Sequence, residues 1–119
     1  MNDEILKNLI DIIQTAEEIE TFTREMDFEE YKDNTVTQRA VERDFEIIGE
    51  ALTRLKKIDE KYLEGISEYH RIIGFRNILI HGYDSINELI VWKAVEKHLP
   101  ILKQEVQKMI DDAKQNPPK

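Results

Sequence analysis

Apolar residues recur three and four positions apart along most of this chain, the spacing that places side chains on one face of an α-helix. The first such set is Ile5, Leu6, Leu9, Ile12, Ile13, Ala16 and Ile19, and Asn2 or Asp3 is placed to cap the helix. The sequence has no run of strand-like alternation between apolar and polar residues. We therefore predict an all-α fold, an up-and-down bundle of four or five helices.

The middle of the chain predicts a connector and then a second long helix. Residues 22–34 mix aromatic and acidic side chains and predict at most a short helical turn. A residue among 33–35 then caps a helix that ends near Ile58. Its apolar face is predicted to carry Val36, Ala40, Val41, Phe45, Ile48, Ala51, Leu52 and Leu55. Residues 59–65 are charged and contain a glycine, so we expect a loop there.

The third and fourth helices are predicted in the C-terminal half. Residues 71–80, RIIGFRNILI, are apolar almost all round, which indicates a helix buried on most sides. Ser67 is placed to cap this helix, and Gly82 to end it, because glycine adopts the left-handed conformation without steric cost. A long fourth helix is predicted over residues 86–110. Pro100 should kink or interrupt it, because proline has no N–H for the bond one turn back.

Length and composition favour one folded domain outside the membrane. The 119 residues fit a single domain, predicted over 1–113, with a frayed tail over 114–119. The chain has no cysteine, which excludes disulfides, thiolate metal sites and cysteine nucleophiles. No stretch reaches the roughly 18 uncharged apolar residues that a membrane span requires. We expect a cytoplasmic protein.

The net charge of −8 is unevenly distributed along the chain. Residues 1–33 hold 11 acidic and 3 basic groups, whereas residues 34–119 hold 14 of each. No acidic residue occurs between Glu68 and Asp84, although that window contains His70, Arg71, Arg76 and His81. An acidic N-terminal face keeps such a protein soluble, and the acid-free window leaves room for a local anion site.

Arg76 lies in the middle of the apolar third helix, where a buried guanidinium needs partners for its donors. Two interpretations follow from residue chemistry alone. In one, Arg76 pairs with a core carboxylate and His81 caps the helix end. In the other, Arg76 binds an external anion, His81 transfers protons near neutral pH, and Asn77 and Tyr83 add polar groups nearby.

The spacing of these residues decides how they can meet. At about 100° per residue, Arg76 and Tyr83 lie about 20° apart, whereas Arg76 and His81 lie about 140° apart. The pair meets only if the helix ends near Gly82, or if a second copy supplies the complementary group across a two-fold axis. Gly74 would let a neighbour approach closely. We favour the symmetric dimer, with two copies of Arg76 and of His81 around one cleft.

Other polar groups are interpreted as structural. We expect His70 and His98 to be ordinary surface residues. Glu42, Glu46 and Glu50 form a stripe that could suggest a metal site, but the Glu-x-x-His pattern of di-iron bundles is absent. A solvated, ion-paired face explains the stripe better, because Arg39 and Arg43 each stand three residues before a glutamate of the stripe.

The string RNILIHGY, from Arg76 to Tyr83, resembles the Arg, four residues, His, one residue, Tyr signature of the HepT-like branch of the HEPN ribonucleases. The similarity extends over roughly residues 5–110. It includes Tyr31, Asp33, residues 38–43, the IIGEA run at 47–51, the RIIGFRN approach, and Val91-Trp92 followed by Leu99-Pro100.

The resemblance implies a HEPN-like homodimer that joins through the motif helix and cleaves RNA as a metal-independent endoribonuclease. Arg76 and His81 of both protomers would line the interfacial cleft, and Asn77 would help to hold the site or the RNA backbone. Cleavage itself is expected to need no cofactor. The resemblance also implies a partner, an MntA-like minimal nucleotidyltransferase antitoxin that uses ATP and magnesium to place AMP on Tyr83.

Three hypotheses of function follow. The first is the RNase toxin of a type VII toxin–antitoxin system, silenced by AMPylation of Tyr83. The second is a non-catalytic HEPN adaptor that binds a nucleotidyltransferase or a nucleotide, with an acidic N-terminal third that repels free RNA. The third is a structural helical dimer without a ligand.

Overall fold

Two long helices form the centre of the protein. The computed structural model describes residues 2–81 and 87–115, without the side chains of Ile80 and His81. Helix α1 spans Asp3–Thr23, and Asn2 caps it by accepting a hydrogen bond from the N–H of Ile5 at 2.9 Å. Helix α3 spans Thr35–Ile58 and packs along α1.

Helix α3 begins and ends where the sequence predicts. Asn34 caps it, accepting from the N–H of Thr37 at 2.9 Å. The predicted apolar face is buried at Val41, Phe45, Ile48, Ala51, Leu52 and Leu55. Val36 is an error in that prediction, since 81% of it is exposed. It lies in the first turn, where the apolar spacing continues beyond the packed part of the helix.

The predicted connector contains the expected single helical turn. Helix α2 spans Phe28–Lys32 and begins with a capping box between Asp27 and Glu30. Tyr31 is fully buried, and its ring lies 5.2 Å from that of Trp92. The side-chain amide of Gln38 donates to the backbone carbonyls of Tyr31 and Lys32, so α2 is fixed to both α3 and the C-terminal half.

The segment predicted as a loop over residues 59–65 instead contains a 3₁₀ turn at Glu60–Leu63. Leu63 is buried and anchors it in the core. Ser67 is not the predicted cap: its N–H and hydroxyl both donate to the carboxylate of Glu105. Ser67 therefore makes its hydrogen bonds to a distant carboxylate instead of to the first turn of the next helix. Helix α4 begins two residues later and spans Tyr69–His81.

Helix α4 is not buried on most sides, which corrects the prediction. Ile72, Phe75 and Leu79 face the core, whereas Gly74 and Asn77 are exposed and Ile78 is 44% exposed. The reason is that no other described part of the chain covers the face of α4 that carries Gly74, Asn77 and Ile78. The predicted helix end at Gly82 lies outside the described residues.

The predicted fourth helix is a run of three helical segments. Helix α5 spans Glu88–Lys93, a π-helical turn spans Ala94–His98, and helix α6 spans Leu99–Gln115. Pro100 thus falls in the first turn of α6, where a helix tolerates a missing N–H, and in the π turn before it the N–H of Leu99 donates to the carbonyl of Ala94. Helix α6 enters the segment predicted as a tail, of which residues 116–119 lie outside the described residues.

The predicted all-α class is confirmed. Helix α1 packs on α3 and α6, and α4 packs on α3, so one apolar core joins the long helices. Across residues 2–81 and 87–115, no helix is both long enough and apolar enough to cross a membrane.

Candidate active site

Arg76 is held where α4 crosses α3. The side chain is half-buried, and its stem packs against the backbone of Gly49. A Cβ built on Gly49 would lie 2.5 Å from Cδ and 2.8 Å from Cβ of Arg76, closer than real Cβ contacts allow. The glycine therefore makes the space in which the arginine stem lies.

The guanidinium of Arg76 has an unmet need for an acceptor. Its Nε is buried, and no described residue accepts a hydrogen bond from it. Within the described ranges, no carboxylate forms an ion pair with Arg76 either, so the interpretation of a core carboxylate partner gains no support. A buried donor without a partner costs about 1–3 kcal/mol, and more when charged. An anion from outside would satisfy it.

The structure tests the other motif residues only in part. Helix α4 runs through His81, so the helical positions of Arg76 and His81 remain about 140° apart. The side chain of His81 and all of Tyr83 lie outside the described residues. Asn77 is exposed on α4. The structure therefore describes the surroundings of Arg76 and Asn77 alone among the four predicted site residues.

The uncovered face of α4 is apolar and open. A Cβ added at Gly74 would meet nothing within 4 Å among the described atoms. Ile78 lies one turn further along the same face and is 44% exposed. Gly74 and Ile78 form an apolar strip along this face, with the exposed Arg71 and Asn77 beside it, so the strip is suited to contact another apolar surface.

The two remaining histidines differ from each other. His70 is exposed and stacks on Tyr69, with ring centroids 3.9 Å apart. His98 is not the predicted ordinary surface residue: its side chain is only 22% exposed, and its Nδ1 lies 3.1 Å from Glu68 Oε2. Arg71 Nε contacts the same oxygen at 3.1 Å. The carboxylate that orients His98 stands 30 positions away in the chain.

The glutamate stripe on α3 is ion-paired as predicted. Arg39 contacts Glu42 at 3.1 Å, and Arg43 contacts Glu46 at 3.2 Å. Glu42 is buried rather than solvated, and this burial raises its pKa despite the neighbouring Arg39. Among the described residues, no three His, Asp or Glu side chains are grouped to hold a metal ion.

Sequence reasoning missed Gly49 and the role of His98. An isolated glycine inside a strongly periodic helix costs about 1 kcal/mol relative to alanine and usually has a packing reason. That signal was present at Gly49. No comparable signal marks His98, because Glu68 and Arg71, which contact it, stand 30 and 27 positions away in the chain.

The fold and site together define a class: a helical protein with a half-buried arginine on a helix without acidic residues, and no described residue accepts a hydrogen bond from the buried Nε of that arginine. Comparison with known proteins identifies the family to which the chain belongs. The family described as "Ribonuclease HepT-like" matches residues 12–109, and the chain belongs to this family. The predicted family and enzyme class, a ribonuclease, are thereby confirmed.

Curated relatives cover most of the chain. "Putative RNase MJ0125" of Methanocaldococcus jannaschii is 37% identical over 105 residues, 87% of this chain and 89% of the relative. "Probable ribonuclease HepT" of Thermococcus cleftensis is 38% identical over 101 residues, 85% of this chain and 91% of the relative. No solved structure matches the chain significantly.

Proposed function

We propose that this chain is the toxin component of a type VII toxin–antitoxin system, a metal-independent endoribonuclease whose site is shared by two protomers. The observation that carries the proposal is Arg76, whose Nε is buried without an acceptor among the described residues while Gly49 holds its stem. An RNA phosphate is an anion that such a group would bind, and membership of a ribonuclease family supports that choice.

The proposed chemistry uses a guanidinium and two imidazoles. His81 of one protomer takes the proton from the RNA 2′-hydroxyl, whose oxygen bonds to phosphorus as the bond to the 5′-oxygen breaks. The partner's His81 donates a proton to that leaving oxygen. The products are a 2′,3′-cyclic phosphate and a free 5′-hydroxyl. Arg76 stabilises the charge that grows on the phosphorus oxygens, a role that a fixed positive group fills without metal.

A homodimer is the arrangement that supplies these groups to one phosphate. Arg76 and His81 occupy positions about 140° apart on α4, so one copy of the helix cannot aim both at the same atom. The open face of α4, with Gly74 and Ile78, would receive the partner's α4 across a two-fold axis. Asn77 on the same face would then help to hold the site or the RNA backbone.

The proposed off-switch is the addition of AMP to Tyr83 by an MntA-like nucleotidyltransferase that uses ATP and magnesium. Adenylyl groups carry negative charge and bulk, and they would repel RNA phosphate from the cleft. The partner therefore acts as an antitoxin without needing to stay bound.

Cleavage of single-stranded RNA by pure protein in excess chelator tests the nuclease. We expect Arg76→Ala and His81→Ala each to lower the rate by about 10²–10⁴-fold while the dimer persists. Arg43→Ala is the matched control, because Arg43 is exposed and its pair with Glu46 is a surface contact worth little. Undiminished cleavage by both site variants, or loss of wild-type cleavage in chelator, would contradict the proposal.

Mixed dimers test whether the site is shared. Mixing wild-type and His81→Ala proteins in equal amounts leaves about a quarter of the dimers fully wild type after subunit exchange, and about half of the dimers with a single His81. If one phosphate needs His81 from both protomers, only the fully wild-type dimers cleave, and the mixture keeps roughly a quarter of wild-type activity at the same total dimer concentration. Roughly half of wild-type activity would show that each protomer works alone.

Mass spectrometry tests the antitoxin. Incubation with the candidate nucleotidyltransferase, ATP and magnesium should add mass in multiples of AMP, and Tyr83→Phe should abolish the addition. RNA cleavage should fall in step with the modified fraction. Modification at another residue, or modified protein that remains fully active, would refute this part of the proposal.

The non-catalytic adaptor remains the second candidate because residues 1–33 carry 11 acidic groups, which disfavour free RNA. An adaptor would bind the nucleotidyltransferase tightly, yet Arg76→Ala would change neither binding nor any RNA turnover. The cleavage assay above therefore separates the two candidates.

A further inference from the structure

A small cavity opens beside α4, away from Gly49 and Arg76. Its volume is about 200 Å³, and four apolar side chains form its walls. Ile72 and Phe75 come from α4, Ile90 from α5 and Ala94 from the π turn. Ile90 is 51% exposed, whereas the other three belong to the core, so the cavity has a rigid floor and one open apolar wall.

The rim of this cavity is basic. Arg71, Lys93 and His98 complete the lining, and the described lining contains no carboxylate. Lys93 is exposed, so its side chain can move towards a bound anion, whereas Arg71 is exposed and already contacts Glu68 at 3.1 Å. Arg71 and Lys93 together outweigh the one adjoining carboxylate, Glu68, so the rim keeps a local positive charge that would attract an anionic ligand.

Glu68 fixes two members of the rim. It contacts Arg71 Nε and His98 Nδ1, both at 3.1 Å. Arg71 Nη1 lies 3.5 Å from His98 Nε2, and because a guanidinium only donates, Nε2 is the acceptor in that contact. The Glu68 carboxylate therefore lies against both the guanidinium and the imidazole at the mouth of the cavity.

We propose that this cavity binds one base of the RNA substrate, with the adjoining phosphate against Arg71 and Lys93. This inference rests on the proposed nuclease function and adds a substrate subsite to it. A cavity of this size takes a single aromatic base rather than a larger ligand, and stacking on apolar and aromatic side chains is how single-stranded RNA is commonly held.

The position of the cavity on α4 indicates which nucleotide of the RNA strand it would bind. Arg71 precedes Arg76 by five residues, about 7.5 Å along the helix axis, and lies about 140° away around it. A base in the cavity would therefore belong to a different nucleotide from the one whose phosphate contacts Arg76. The subsite would position the strand rather than take part in the bond-breaking step.

Methyl NMR of full-length Arg76→Ala protein tests the subsite without cleavage. The probes are adenosine 5′-monophosphate, uridine 5′-monophosphate, inorganic phosphate and a short 2′-O-methyl oligoribonucleotide. We expect the nucleotides and the oligonucleotide to shift the methyl signals of Ile72 and Ile90. We expect the oligonucleotide to bind at least about tenfold tighter than either mononucleotide, because an RNA unit adds phosphate and stacking contacts.

Two pairs of variants locate the binding. Ile90→Asp and Lys93→Glu should each raise the Kd for the oligonucleotide by about tenfold. Ile101→Asp and Lys97→Glu are the matched controls, since both residues are exposed and neither lines the cavity. The controls should bind as tightly as the parent protein.

Three results would overturn the inference. The first is inorganic phosphate shifting the same methyl groups as strongly as the nucleotides, which would indicate a simple anion site. The second is mononucleotides binding as tightly as the oligonucleotide, which would indicate a free-nucleotide site. The third is Ile90→Asp dissociating the dimer with no nucleotide shift, which would assign this wall to a subunit contact.

The subsite and the nuclease can fail separately. Oligonucleotide binding at Ile72 and Ile90 in a protein that never cleaves RNA would sustain the subsite and reject the nuclease. Chelator-resistant cleavage that Ile90→Asp and Lys93→Glu leave unchanged would reject the subsite alone.

Discussion

Gly49 and Arg76 act as a pair, although 27 positions separate them in the chain. A glycine within a 24-residue helix sacrifices stability relative to alanine, by about 1 kcal/mol. What it provides here is room for the Cβ, Cγ and Cδ atoms of Arg76, all of which lie within 3.0 Å of where a methyl group would stand. The backbone of α3 therefore sets the position of the Arg76 side chain.

Replacing Gly49 with alanine should separate activity from stability. The added methyl group displaces the stem of Arg76, and we expect kcat/KM for RNA to fall at least about tenfold, as for other small misplacements of a positioning group. The free energy of unfolding should fall by no more than about 2 kcal/mol, because the roughly 1 kcal/mol of helix propensity that alanine gains offsets part of an overpacking cost of about 1–3 kcal/mol. Steady-state kinetics and chemical denaturation measure both. Full activity in Gly49→Ala would show that the stem tolerates displacement.

Asp44 makes a second prediction at the level of one residue. Burial, followed by the nearby Glu18 carboxylate, raises the pKa of Asp44 from 3.8 to about 6. The folded chain therefore holds this proton more tightly than the unfolded chain does. The associated stability is fully present below pH 3.8 and is lost as the pH rises through about 6.

Asp44→Asn should thus stabilise the protein at pH 8 by about 1–2 kcal/mol, because a neutral amide avoids the buried charge. The gain should vanish near pH 4. Thermal unfolding at both pH values measures it, with the exposed Glu17→Gln as control. An equal gain at both pH values would mean that the carboxyl is not the group that titrates.

Residue chemistry predicted some of these features and not others. Arg76 was evident because a guanidinium within an apolar helix demands an anion. The 140° between Arg76 and His81 followed from helix geometry alone. The orientation of His98 did not, because it depends on Glu68, and the sequence does not say which distant side chains will meet.

At the scale of the elements, α4 is where apolar periodicity gives an incomplete answer. A helix that is apolar almost all round is predicted to be buried all round, yet one face of α4 has no neighbour among the described residues. The apolar periodicity indicates that a helix face is buried against another surface, but it does not indicate whether that surface belongs to the same chain. By contrast, the cap at Asn34 and the end at Ile58 were predictable, because caps and breaks are local signals.

Gly74→Leu tests what covers that face. A side chain at Gly74 meets nothing within 4 Å in its own protomer, so the protomer should keep its helix content and fold. If the partner's α4 approaches there, the new side chain should weaken the dimer at least about tenfold in Kd, since overpacking of a close contact costs about 1–3 kcal/mol. Analytical ultracentrifugation gives the Kd.

Gln14→Leu is the control for this experiment, because it adds the same side chain to an exposed position on α1. It should leave the dimer unchanged. A Gly74→Leu protein with the wild-type dimerisation constant would remove α4 from the interface, and with it the shared site.

At the scale of the whole molecule, the charge is divided between its two halves. The acidic excess lies in residues 1–33, which form α1 and α2, while α4 carries no acidic residue between Tyr69 and His81. Helix α3 packs against both α1 and α4. A polyanion approaching this protein thus meets repulsion from one part of the surface and attraction at another, which narrows the directions from which RNA can dock.

This uneven charge distribution is predicted to affect the rate at which RNA associates and not the rate of the cleavage step. The combined substitutions Glu4→Gln, Glu25→Gln and Glu29→Gln remove three exposed negative charges, and should raise the association rate for single-stranded RNA about two- to fivefold at low salt. The gain should disappear near 0.5 M salt, because screening acts over only a few ångströms at that ionic strength. Stopped-flow fluorescence at several salt concentrations measures the rate, and the matched Glu→Asp triple variant, which keeps the charge, should behave as wild type.

Because these residues lie in α1, α2 and the turn between them, single-turnover cleavage should stay the same. A gain that persists in high salt, or that appears in the cleavage step, would mean that the acidic segment touches the substrate instead of only repelling it.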